Sequence, residues 1–139
     1  MRPRRSPAQL ALTVAITVGV LSIAPVLAHH SFAPYEATQQ LKLSGVVTEV
    51  KWVNPHVYLE VDATDAKTGE KRHWLIECAS TSILNRAGWR FNMIKSGDQI
   101  TAIVSPLRNG EPGALLKQIT LADGRKFSNG AAAGRATIE

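Results

Sequence analysis

Stretches of alternating apolar and polar residues, one short helical stretch, and Gly-, Asn- or Asp-bearing turns between them predict an all-β domain with one short helix. The 139 residues allow one such domain and no more. The chain is organised around Gly45 to Asp62, GVVTEVKWVNPHVYLEVD, which reads as two strands joined at Asn54-Pro55.

Leu41 to Val53 forms the first strand. Leu41 and Leu43 occupy odd positions, while Val46, Val50 and Trp52 occupy even ones, so Gly45 marks a change of phase and predicts a β-bulge. From His56 to Ala63 the alternation is strict. Val57, Leu59 and Val61 face the core, with His56, Tyr58, Glu60 and Asp62 on the other side. A polar loop from Thr64 to Lys71 leads to a third strand, Arg72 to Cys78, with Trp74, Ile76 and Cys78 inward and His73, Leu75 and Glu77 outward. If that hairpin centres on Asp65–Gly69, Val61 pairs with Trp74, Leu59 with Ile76, Asp62 with His73 and Tyr58 with Glu77.

Ser80 to Ala87 has an N-cap, an Ile83/Leu84/Ala87 stripe and a stop at Gly88, and Trp89 follows as a contact sealing the cap. Gln99 to Val104 and Ala114 to Leu121 are the fourth and fifth strands, and Arg125 to Phe127 is a last extended piece. Five strands with a helix between the third and fourth predict an OB-fold-like five-stranded Greek-key barrel over residues 41–127. An immunoglobulin-like sandwich calls for about seven strands. A Gly/Ala-rich flexible tail, 128–139, is expected to follow.

Upstream, Arg2, Arg4 and Arg5 precede a run of small and apolar residues ending Pro25-Val26-Leu27-Ala28, the pattern of a cleaved signal peptide over 1–28. An uncleaved anchor is the alternative, which Gly19, Pro25 and the cleavage pattern disfavour. Export, into the periplasm of a Gram-negative bacterium, is the expected localisation. Removing the signal takes away three arginines and leaves 13 Lys+Arg against 11 Asp+Glu. The basic footprint of a nucleic-acid binder is then missing, and no membrane association is expected of the mature chain. The single cysteine, Cys78, has no internal disulfide partner and is expected to be buried.

The mature chain would open on an extended leader, 29–40, which Phe32 and Tyr35 can pin to the barrel. His29-His30-Ser31-Phe32 after the signal, then Trp52-Val53-Asn54-Pro55-His56, resembles a family of small exported bacterial proteins of unknown function. Arg86-x-Gly88-Trp89, Gly97-Asp98 and Asp123-Gly124-Arg125 extend the resemblance over nearly all of the mature chain. It implies a signal peptide and a small β-domain, but no activity.

Chemistry is concentrated in the four histidines. Cleavage after Ala28 would free the amine of His29, which with its own imidazole can chelate one metal ion. A second imidazole, from His30, His56 or His73, with His56 the better partner, would complete a three-nitrogen clamp suited to copper, the metal at the top of the affinity order for such ligands. The register sets His56 and His73 about 20 Å apart, too far to share an ion. Each histidine also has a plain structural reading. His29 and His30 can be a polar start to a loose leader, His56 can cap the Asn-Pro turn, and His73 can pair with Asp62 across the strands.

The competing function is a small ligand or a periplasmic protein bound on the outer face of the second and third strands, through Tyr58, Glu60, His73 and Glu77, with no metal. No Ser-His-Asp arrangement and no Gly-rich phosphate loop occurs. Copper-dependent oxidation would need a substrate surface that 111 mature residues barely provide, so a binding module is expected rather than an enzyme.

Overall fold

The structure is a computed structural model, and it describes residues 34–130. Six strands and one helix follow in the order β1 (Leu41–Lys51), β2 (Tyr58–Asp65), β3 (Lys71–Glu77), α1 (Thr81–Arg86), β4 (Gln99–Pro106), β5 (Gly113–Leu121) and β6 (Lys126–Ser128). Antiparallel pairing gives the sheet order β3-β2-β1-β4-β5-β6. Parallel pairing of β3 with β5, from Leu75↔Gly113 to Glu77↔Leu115, joins the remaining edges. The result is a closed, mixed five-stranded barrel with β6 added along the second half of β5. Closure rests on three residues of β3, Leu75 to Glu77.

Alternation explains what fills the barrel. Leu59, Val61 and Ala63 of β2 and Trp74 and Ile76 of β3 are buried together with Leu41, Leu43, Ala102, Val104, Leu116 and Ile119. The hairpin register is the one the alternation implies, with Val61 opposite Trp74, Leu59 opposite Ile76 and Tyr58 opposite Glu77. Beyond the strand ends the ladder continues through Cys78 N–H to Val57 O and Val57 N–H to Ala79 O.

Gly45 does not make the expected bulge. It pairs regularly with Ala63 on one side and Ile100 on the other. The irregularity lies between Val47 and Glu49, leaving Thr48 as the extra residue of β1. Val47 is therefore still inward, and the phase changes after it. Gly45 serves close approach instead: a Cβ there would lie 2.0 Å from Asp62 O and 2.5 Å from Ala63 Cα.

Helix α1 begins at its cap, Ser80 Oγ, which accepts from Ile83 N–H at 3.4 Å. It ends in a Schellman motif: Gly88, at φ 93°, donates to Asn85 O, and Trp89 N–H reaches Leu84 O. Trp89 is more than a cap contact. It is 1% exposed, its Nε1–H donates to Ser128 O at 2.9 Å, and its ring meets Phe127 edge-on.

The barrel also extends past residue 127. Ser128 completes β6, and Asn129 is buried, accepting from Ala79 N–H at 2.7 Å and donating to Leu116 O at 2.9 Å. Its amide satisfies two backbone groups that the strand ladders leave over. The rest of the expected tail lies outside the described residues, as do the expected signal peptide, His29, His30 and Phe32.

Candidate functional site

The outer face of β2 and β3 carries two polar clusters, one at each end of the hairpin. The first forms where His56 enters β2 after the Asn54-Pro55 bond, which is cis. Strand alternation places His56, Tyr58 and Glu77 on the outside, with Glu77 directly opposite Tyr58. His56 Nδ1 lies 2.6 Å from Glu77 Oε1, a donor–acceptor pair in which the ring N–H donates. The other carboxylate oxygen, Oε2, accepts from the hydroxyl of Tyr35.

Tyr35 reaches this carboxylate because residues 34–36 are held along the end of β4. Glu36 N–H donates to Pro106 O and Arg108 N–H to Pro34 O, while Arg108 Nε donates to Tyr35 O at 3.0 Å. Burial, then the bond to Glu77, raises the Tyr35 pKa well above the usual phenol range, so the hydroxyl keeps its proton and donates. Tyr58 is raised in the same direction, by burial and then by the Glu77 charge. Cys78 is buried on the inner face, and burial first, then Glu77, pushes its thiol pKa up. It is an unreactive core thiol.

The second cluster is built on His73. Its Nδ1 lies 2.7 Å from Asp62 Oδ1 and its Nε2 3.3 Å from Glu60 Oε2. Glu60 also accepts from Lys51, whose ammonium is 3.5 Å from Glu49. Hydrogen bonds to Asp62 and then Glu60 favour the imidazolium and raise the His73 pKa above 6.5. Lys51 and then His73 lower that of Glu60. Because the folded pKa of His73 is raised, its contribution to stability is fully present below the unfolded value. That contribution is lost as pH rises through the folded value. An NMR titration of the His73 ring is expected to show the raised pKa, and Asp62→Asn to lower it. Equal values in the two proteins would contradict the pairing.

Of the residues expected to act, the fold joins His56 with Glu77 and Tyr58 at one end, and His73 with Glu60 at the other. The register keeps His56 and His73 apart, as the strand spacing requires. Tyr35 was expected only to pin the leader. Its bond to Glu77 spans 42 residues of sequence, and no local pattern marks it. Among the described residues no three His, Cys, Asp or Glu side chains come together as a metal site.

Fold and site thus define a small closed β-barrel with an imidazole–carboxylate–phenol cluster on its outer face. The chain belongs to a family of unknown function (DUF6152), whose model matches residues 17–117. No curated protein and no solved structure matches it.

Proposed function

We propose that this is an exported metal-binding barrel of OB-like connectivity, holding one copper ion between its mature N-terminus at His29 and the imidazole of His56. The observation that carries the reading is the shared carboxylate of Glu77, bound on one oxygen by His56 and on the other by the leader residue Tyr35. The leader is thereby tied to the residue that orients His56. His29 lies six positions before Tyr35, a covalent reach of about 20 Å. The apolar segment before Ala28 and its small residues at the cleavage position support export. The helix between the third and fourth strands supports the OB-like reading.

The chemistry follows from the hydrogen bonds. With Nδ1–H donating to Glu77, the neutral ring carries its lone pair on Nε2. A carboxylate behind a ligating imidazole fixes the ring and raises its basicity. Tyr35 holds that carboxylate in turn. At the N-terminus, the amine and imidazole of His29 close a chelate ring, and His30 is the alternative third donor. Three nitrogen donors suit copper over other divalent ions. Protons compete for amine and imidazole alike, so affinity falls on acidification.

Calorimetric Cu(II) titration of protein beginning at His29, beside the same protein with one added alanine, tests this reading. One-to-one binding is expected in the first and absent in the second. Glu77→Gln, which removes the charge behind the ring, is expected to weaken binding by about 10–100-fold. Equal binding with and without the added alanine would overturn it.

A second reading is favoured by Leu75, 45% exposed between the two clusters. There the outer face of β2 and β3 takes a small ligand or protein partner through Tyr58, Glu60, His73 and Glu77, and no metal is involved. Binding that survives the alanine extension but is lost on Leu75→Asp would support it.

A further inference from the structure

At one end of the barrel two loops meet through residues that belong to neither cluster above, although the first of these loops also carries His56. The segment after β1 carries Trp52 and Val53, and the segment after α1 carries Arg90 and Phe91. The rings of Trp52 and Phe91 stand edge-to-face with centroids 6.4 Å apart. Trp52 packs against the core and forms the base, while Phe91 is 67% exposed and Val53 is also open to solvent. An exposed Phe beside a half-buried Trp is an apolar tip on a rigid support, since Trp89 and Ile94 on either side of Phe91 are buried.

Cations outnumber acids in the segment that carries Phe91, where Asp98 accepts from the backbone N–H of Lys95. Residues 78–97 hold three cations, Arg86, Arg90 and Lys95, and no acid. All three are exposed, and no carboxylate pairs with them among the described residues. Arg90 is braced by donating to Asn85 O at 3.0 Å and to Trp89 O at 2.6 Å, carbonyl partners that leave its charge unneutralised.

Against the expectation of no membrane association drawn from net charge, we infer that this end of the barrel docks on an anionic phospholipid surface, with Phe91 entering the headgroup–acyl boundary and Arg86, Arg90 and Lys95 meeting lipid phosphates. Aromatic tips flanked by Lys and Arg suit that boundary, where an apolar body and a charged rim are solvated together. A protein partner fits less well. A stable protein interface needs roughly 800 Å² from each side with an apolar centre, and two exposed apolar side chains do not supply it. The inference uses none of the residues of the metal reading and stands or falls separately from it.

Co-sedimentation of the protein with phosphatidylglycerol vesicles and with phosphatidylcholine vesicles tests it. Binding is expected to the first and not to the second, and to weaken as salt is raised. Arg86→Gln and Lys95→Gln are each expected to reduce partitioning about fivefold, and Phe91→Ala by roughly tenfold. The Phe91 side chain is exposed, so the melting temperature of Phe91→Ala should match that of the unmodified protein. No binding to phosphatidylglycerol, or equal binding to both lipids, would overturn the inference. Unchanged binding by Phe91→Ala would do the same, by reducing the interaction to loose charge attraction.

Discussion

Replacing Gly45 with alanine is expected to destabilise the barrel by about 3 kcal/mol or more, at the upper end of what overpacking produces. The added Cβ would stand 2.0 Å from Asp62 O, 2.5 Å from Ala63 Cα and 2.8 Å from Ala63 Cβ. Two of those three atoms are backbone or Cα, so no rotamer change relieves the clash. β1 cannot retreat either, because Gly45 pairs with Ile100 of β4 on its other side. Urea unfolding followed by circular dichroism measures the effect. A loss below about 1 kcal/mol would mean that the two strands do not approach as described.

Trp89→Ala is expected to cost about 3–5 kcal/mol, the range for emptying a buried aromatic site. The indole fills the space between α1 and the C-terminal strand, and its Nε1–H is the donor that Ser128 O receives. Its loss would leave a cavity and release β6, which pairs with β5 over only Gln118–Thr120. Trp89→Phe should recover most of the packing but not the hydrogen bond, and fall between the two. Equal stability of Trp89→Ala and the parent would show that β6 and α1 are held by other contacts.

The register of the β2–β3 hairpin was legible in the sequence to the residue, while the strands run Tyr58–Asp65 and Lys71–Glu77, one or two residues away from the expected bounds. Alternation of Val57, Leu59 and Val61 against Trp74, Ile76 and Cys78 excludes a one-residue slip, which would turn a strand's apolar residues to solvent, and the loop centred on Asp65–Gly69 selects among the registers that remain. The helix was equally legible, because Ser80 and Gly88 bracket it with opposite capping chemistry. Gly45 shows where reading by pattern fails. A glycine at a change of phase suits both a bulge and a close approach, and Val46 and Val47 are both apolar, so the phase itself was ambiguous. The real bulge at Thr48 has no residue signature.

What the sequence left unread shares a cause. Trp89, Ser128 and Asn129 sit beside turn and tail residues in sequence, but their partners come from distant segments. The same holds for the candidate site. Glu77 beneath His56 followed from the strand register, whereas Tyr35 on the other carboxylate oxygen depends on where the leader runs, which alternation does not encode. The apolar tip at Phe91 was hidden in the same way, since nothing in a loop sequence shows that it meets Trp52.

The central claim, that His56 and the mature N-terminus share one copper ion, is tested most directly by electron paramagnetic resonance. The sample is protein beginning at His29, loaded with one equivalent of Cu(II). The account predicts hyperfine structure from several nitrogen donors, altered by one alanine added before His29 and altered again by His56→Ala. Spectra that are the same with and without the added alanine, or unchanged in His56→Ala, would contradict it.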